Sequence, residues 1–130
     1  MKTKSIIFLG ILLMCFANAF AQKAEPKQIQ FAKGKRSATA TGTLSNNMEM
    51  DYAFNAKAGQ KITLKITSNP KGNLFDFSLK GDGFELQTDY DSYSDYTFTA
   101  PETGNYLIFV RKRPTGKVKT AKFYLTLTIK

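Results

Sequence analysis

Apolar and polar residues alternate with period two along most of the chain, broken by clusters of turn-forming residues. Met50, Tyr52 and Phe54 stand against Glu49, Asp51 and Asn55. Ile62, Leu64 and Ile66 stand against Lys61, Thr63, Lys65 and Thr67, and Phe75, Phe77 and Leu79 against Asp76, Ser78 and Lys80. Phe123, Leu125, Leu127 and Ile129 stand against Tyr124, Thr126, Thr128 and Lys130. Ala38 to Leu44 places Thr39, Thr41 and Thr43 on one face and small residues on the other. Such alternation is what a sheet with one wet face requires. Short strands are also expected at Ile29–Phe31 and Phe84–Leu86. Turns fall at Lys33–Arg36, Ser45–Asn47, Ala56–Gly59, Asn69–Asn73, Gly81–Gly83 and Pro114–Gly116. No long stretch carries helical periodicity. The pattern predicts an all-β chain, a single antiparallel β-sandwich of about eight short strands.

One hairpin organises the rest. Tyr96 and Phe98 alternate with Thr97 and Thr99, Pro101 ends the ladder, and Tyr106 to Val110 forms a short apolar run. Proline donates no N–H, so it stops pairing. Gly104 is expected to supply a position that tolerates positive φ. The turn Glu102-Thr-Gly-Asn105 presents a hydroxyl and an amide just before an aromatic ring.

The chain opens with Lys2 and Lys4, runs almost wholly apolar from Ile6 to Phe16, and closes with Ala19-Phe-Ala21. That is the form of a secretory signal peptide over residues 1–21. The run is too short to span a membrane, which takes roughly 20 residues. Cys15 is no lipidation site: Met14 precedes it and it lies within the apolar run. Residues 22–28 read as a flexible lead-in and residues 29–130 as the sandwich domain. The product is expected to be periplasmic or secreted. Cys15 is the only cysteine and leaves with the leader, so the domain rests on its apolar core, without disulfides. The full chain has 19 Lys and Arg against 10 Asp and Glu. Losing Lys2 and Lys4 leaves a net charge of +7. The excess favours anionic partners, anionic polysaccharide among them.

Histidine is absent, which removes Ser-His-Asp and Cys-His catalysis and the usual zinc sites. The acidic residues sit in turns and on polar faces, so the chain is read as non-enzymatic. No cofactor is expected, calcium being the one candidate. Asp89, Asp91 and Asp95 offer the hard oxygens that calcium takes. The segment is not an EF-hand, for Ser94 and Ala100 stand where that loop needs glycine and glutamate. A solvated acidic loop is the plainer reading. Tyr90, Tyr93 and Tyr96 interleave with these aspartates, and alternation puts Tyr96 inward. Arg111, Lys112, Arg113, Lys117, Lys119 and Lys122 form a basic stretch without interleaved aromatics. That argues against nucleic acid and for a solvated sheet edge.

Several phrases together resemble a known family. They are Phe31-Ala-Lys-Gly34, Gly42-Thr-Leu44, Tyr52-x-Phe-x-Ala-Lys-Ala-Gly-Gln60, Pro101-x-Thr-Gly-x-Tyr106 and Tyr124-x-Thr-x-Thr-Ile129. They resemble the periplasmic inhibitors of invertebrate-type and goose-type lysozymes. They are also similar to the bacterial pre-peptidase C-terminal domain, a β-sandwich appended to secreted proteases. The resemblance implies a lysozyme-type muramidase, or another exported protein, as partner. It implies insertion of the 102–106 turn into the active-site cleft. It assigns partner contact to Thr103, Gly104, Asn105 and Tyr106, with threonine where the inhibitors carry serine, and to Arg113 and Lys117. The second kinship implies instead a binding module for cell-wall glycan, matrix or a partner protein.

Overall fold

A computed structural model describes residues 25–88 and 95–130. Eight strands are present: β1 Lys27–Gln28, β2 Ser37–Ser45, β3 Glu49–Ala56, β4 Lys61–Asn69, β5 Phe75–Gly81, β6 Asp95–Thr99, β7 Gly104–Lys112 and β8 Thr120–Ile129. They form two four-stranded sheets, ordered β1-β3-β7-β5 and β2-β8-β4-β6. The described residues hold no helix, and none that could cross a membrane.

The alternation seen in the sequence sets the packing. Ile62, Leu64, Phe123, Leu125 and Leu127 from one sheet meet Phe54, Leu79, Tyr106, Ile108 and Val110 from the other, and all are at most 1 % exposed. One continuous core results, of the kind that two facing sheets require.

Three expectations shift. The first strand lies at Lys27–Gln28 and pairs in parallel with Tyr52–Ala53, two residues ahead of the predicted place. Ile29 extends it by one hydrogen bond to the Ala53 carbonyl, at 2.8 Å. Phe84–Leu86 forms no strand. Gly83 turns at φ 89°, and the return is a single bridge between Lys80 and Gln87. The basic stretch at 111–122 is no sheet edge, because β7 and β8 both lie inside their sheets.

Candidate functional site

The 100–106 corner is built on Tyr106. Its ring is fully buried, stacked on Phe54 at 5.3 Å and met edge-on by Phe84 at 4.9 Å. Its hydroxyl donates to the Glu102 carbonyl at 2.5 Å and accepts from the Glu102 N–H at 3.3 Å. A tyrosine that bonds back to backbone a few residues upstream fixes a strand corner in β-sandwiches. Tyr106 therefore offers no face to a partner. It holds the shape of the turn.

The exposed tip is Pro101, Glu102 and Thr103. The Thr103 hydroxyl oxygen accepts from the Ala58 N–H at 2.9 Å, tying the tip to the neighbouring 57–60 turn. Accepting that bond leaves the hydroxyl proton available to donate. Gly104 is not in the positive-φ region, contrary to expectation; in this pair of turns Gly59 is, at φ 90°. Gly104 serves instead by its size, since a Cβ there would come within 3.3 Å of the Phe84 ring. Asn105 is half-buried. Its carbonyl accepts from the Asp82 N–H at 3.0 Å, and its amide reaches the Asp82 carboxylate at 3.4 Å. Asp82 thus puts acidic charge beside the tip. Thr103 and Gly104 line an open hollow of about 360 Å³ with Asn55, Ala56, Lys57 and Gln60. Lys57 is not among the residues the pattern singles out, because pairing of β3 with β7, with Ala56 opposite Gly104, brings it there.

Arg113 and Lys117 lie elsewhere. Gly104 opens β7 and Lys112 closes it, so the two ends stand about 27 Å apart at ~3.4 Å per residue. The predicted contact residues fall at opposite ends of the sandwich. At the far end three loops are bound together. Asn46 donates to the Thr115 carbonyl at 2.8 Å and accepts from the Thr115 N–H at 3.2 Å. The Arg113 N–H reaches the Leu74 carbonyl at 2.9 Å, and its guanidinium the Asn73 carbonyl at 3.2 Å. Lys112, expected to be solvated, is fully buried. Its ammonium donates to Asn46 Oδ1 at 2.9 Å and to the Arg113 carbonyl at 2.6 Å. Burial, with the Arg113 charge adding, pushes it below the usual lysine range. Arg111 is likewise engaged, gripping Asp76 through two hydrogen bonds at 3.2 and 3.0 Å. Lys117 is exposed.

Of the calcium candidates, Asp89 and Asp91 lie outside the described residues, as do Tyr90 and Tyr93 and the whole 1–21 segment. Asp95 is exposed at the start of β6. Among the described residues no group of three or more His, Cys, Asp or Glu could hold a metal.

Fold and site together define an all-β sandwich with a rigid, exposed tip at one end. Comparison with known proteins narrows the class. The chain is 28% identical to the inhibitor of g-type lysozyme of Escherichia coli K12, over an alignment of 137 residues spanning all of both chains. Among solved structures it is similar to Aeromonas hydrophila PliG, described as a periplasmic lysozyme inhibitor of g-type lysozyme. That likeness has a TM-score of 0.68 at 26% identity and covers 85% of this chain and 100% of that one. The Salmonella Typhimurium PliG gives 0.64 at 26%, over 83% and 100%. The pre-peptidase C-terminal domain of a Bacillus anthracis collagenase shares the fold at 18% identity, with a TM-score of 0.57 over 84% and 98%. Both resemblances read from the sequence are found, and the first is the stronger. No family model matches the chain.

Proposed function

We propose that the protein is an exported, non-enzymatic inhibitor of a g-type lysozyme. The observation that carries this is the end-to-end alignment with an inhibitor of that enzyme class, on a sandwich that matches the whole of a solved inhibitor chain. The leader-like first 21 residues and the periplasmic description of the structural relatives support a periplasmic or secreted location.

The mode follows from the tip. Glycoside hydrolases work with acidic side chains flanking the scissile bond. An inhibitor that enters such a cleft needs a narrow, rigid probe carrying a donor and a cation. Pro101, Glu102 and Thr103 protrude, and Tyr106 and Ala58 hold them in place. Rigidity of this kind lowers the ordering cost of binding. The Thr103 hydroxyl proton can donate to a carboxylate, and the Lys57 ammonium in the same hollow can stand beside it. Such charge-assisted bonds are strong. Lys57 thus takes the part that the resemblance gave to Arg113 and Lys117. Asp82 and Glu102 at the rim add negative charge beside this cation, on a chain that is otherwise basic, and so set an electrostatic pattern a partner must match.

The test is an inhibition panel against goose-, invertebrate- and chicken-type lysozymes. Inhibition of the goose type is expected. Thr103→Ala and Lys57→Ala should each weaken it about tenfold, equal to roughly 1.4 kcal/mol. Arg113→Ala with Lys117→Ala should leave it unchanged. The reverse outcome would move the contact to the far end of the sandwich, and no inhibition of any class at micromolar concentration would sink the proposal.

A further inference from the structure

The outward face of the β2-β8-β4-β6 sheet is a lattice of hydroxyls. Register aligns Ser37, Thr128, Thr63 and Thr97 in one row across all four strands. The next rows hold Thr39, Thr126, Lys65 and Asp95, then Thr41, Tyr124 and Thr67, then Thr43, Lys122 and Asn69. Rows repeat every ~6.8 Å along the strands and columns every ~4.8 Å across them. These side chains are exposed or half-exposed, while their neighbours in sequence point into the core. Several hydroxyls already pair across strands: Ser37 with Thr128 at 2.8 Å, Thr39 with Thr126 at 3.1 Å and Ser45 with Thr120 at 2.9 Å. Pairing fixes their orientation and leaves spare acceptor capacity on each oxygen.

Two further features give the face a chemical preference. Tyr124 stands near its centre with the Lys122 ammonium 5.2 Å from the ring centroid. Among the described residues of this face, Lys61, Lys65 and Lys122 outnumber the carboxylate of Asp95. Oriented hydroxyls suit a ligand that is itself a repeating array of hydroxyls. A ring in the middle suits the apolar face of a sugar. An excess of cations suits carboxylates. The twist inherent in a β-sheet suits a flexible strand better than a flat crystal surface.

We propose that this face binds a carboxylated polysaccharide strand, independently of the tip that meets the lysozyme.

The experiment is affinity electrophoresis of the purified protein through gels containing alginate, a carboxylated polysaccharide, or neutral dextran. Retardation by alginate is expected at low salt, with loss at high salt, and none by dextran. Lys65→Gln with Lys122→Gln should weaken alginate binding at least tenfold, and Tyr124→Ala about fivefold. Lys27→Gln with Lys71→Gln removes the same charge away from this face and should change it less than twofold. All these variants should inhibit lysozyme as the parent does, which separates failure here from failure of the inhibitor reading. Absence of alginate binding, equal retention by dextran, or equal weakening by the two double variants overturns the proposal.

Discussion

Among the described residues, the Lys112 ammonium is the most deeply buried charged group. It is fully buried and held by neutral acceptors, Asn46 Oδ1 and the Arg113 carbonyl. Asn46→Ala would leave that cation short of an acceptor and cut both bonds to Thr115. We expect a loss of about 2–3 kcal/mol in urea unfolding. The lowered Lys112 pKa also sets a pH dependence. The native protein gives up this proton more readily than the unfolded chain. Stability should therefore rise with pH from the lowered value towards the ordinary 10.5. Tyr52 acts in the opposite sense. Burial raises its phenol above 10.0, so the unfolded chain ionises first and stability falls as pH passes that value. Melting temperature should climb on the alkaline side and turn down near pH 10. Lys112→Met should remove the climb and keep the downturn. At the opposite end, Tyr106→Phe keeps the ring packing and loses only the bonds to Glu102. It should cost about 1 kcal/mol and weaken lysozyme inhibition by loosening the tip.

Most strands were legible because a sheet with one wet face writes its period into the sequence. β4 and β8 are the clearest cases: Ile62, Leu64 and Ile66, and Phe123, Leu125 and Leu127, all turned inward. The misses are segments whose shape is set by tertiary contact. Phe84 and Leu86 look like strand residues, yet Phe84 is drawn over Gly81 to seal Tyr106. A Cβ on Gly81 would lie 2.5 Å from the Phe84 ring and 2.8 Å from its carbonyl oxygen. Gly81→Ala should destabilise by about 1–3 kcal/mol through overpacking, read out by chemical denaturation. The corner that carries the proposed site was legible in part for the same reason. Thr103 to Tyr106 announces a corner by its residues alone. That Lys57 faces Thr103, and that Arg113 does not, depends on which strands lie side by side, and local patterning carries no such record.

At the scale of the molecule, the sandwich keeps its surfaces apart: a stiff tip at one end, a bound cluster of loops at the other, and a hydroxyl face along one side. These surfaces share no partner in the hydrogen bonds described, so changes on one should add to changes on another with little coupling. The same layout decides when the protein can exist at all. β7 and β8, the last two strands in the chain, each sit between two partners in their own sheets. Ser37 pairs with Thr128, which lies 91 positions later. Until the final strand is present, β2 has no neighbour on β4 and the second sheet is two fragments. Removing residues 120–130 should therefore abolish the fold, seen as loss of a cooperative melting transition. A chain delivered from its N-terminus stays open until β8 arrives, since pairings this distant form slowly. Late closure of that kind is compatible with passage through a translocation pore, which admits only an unfolded thread.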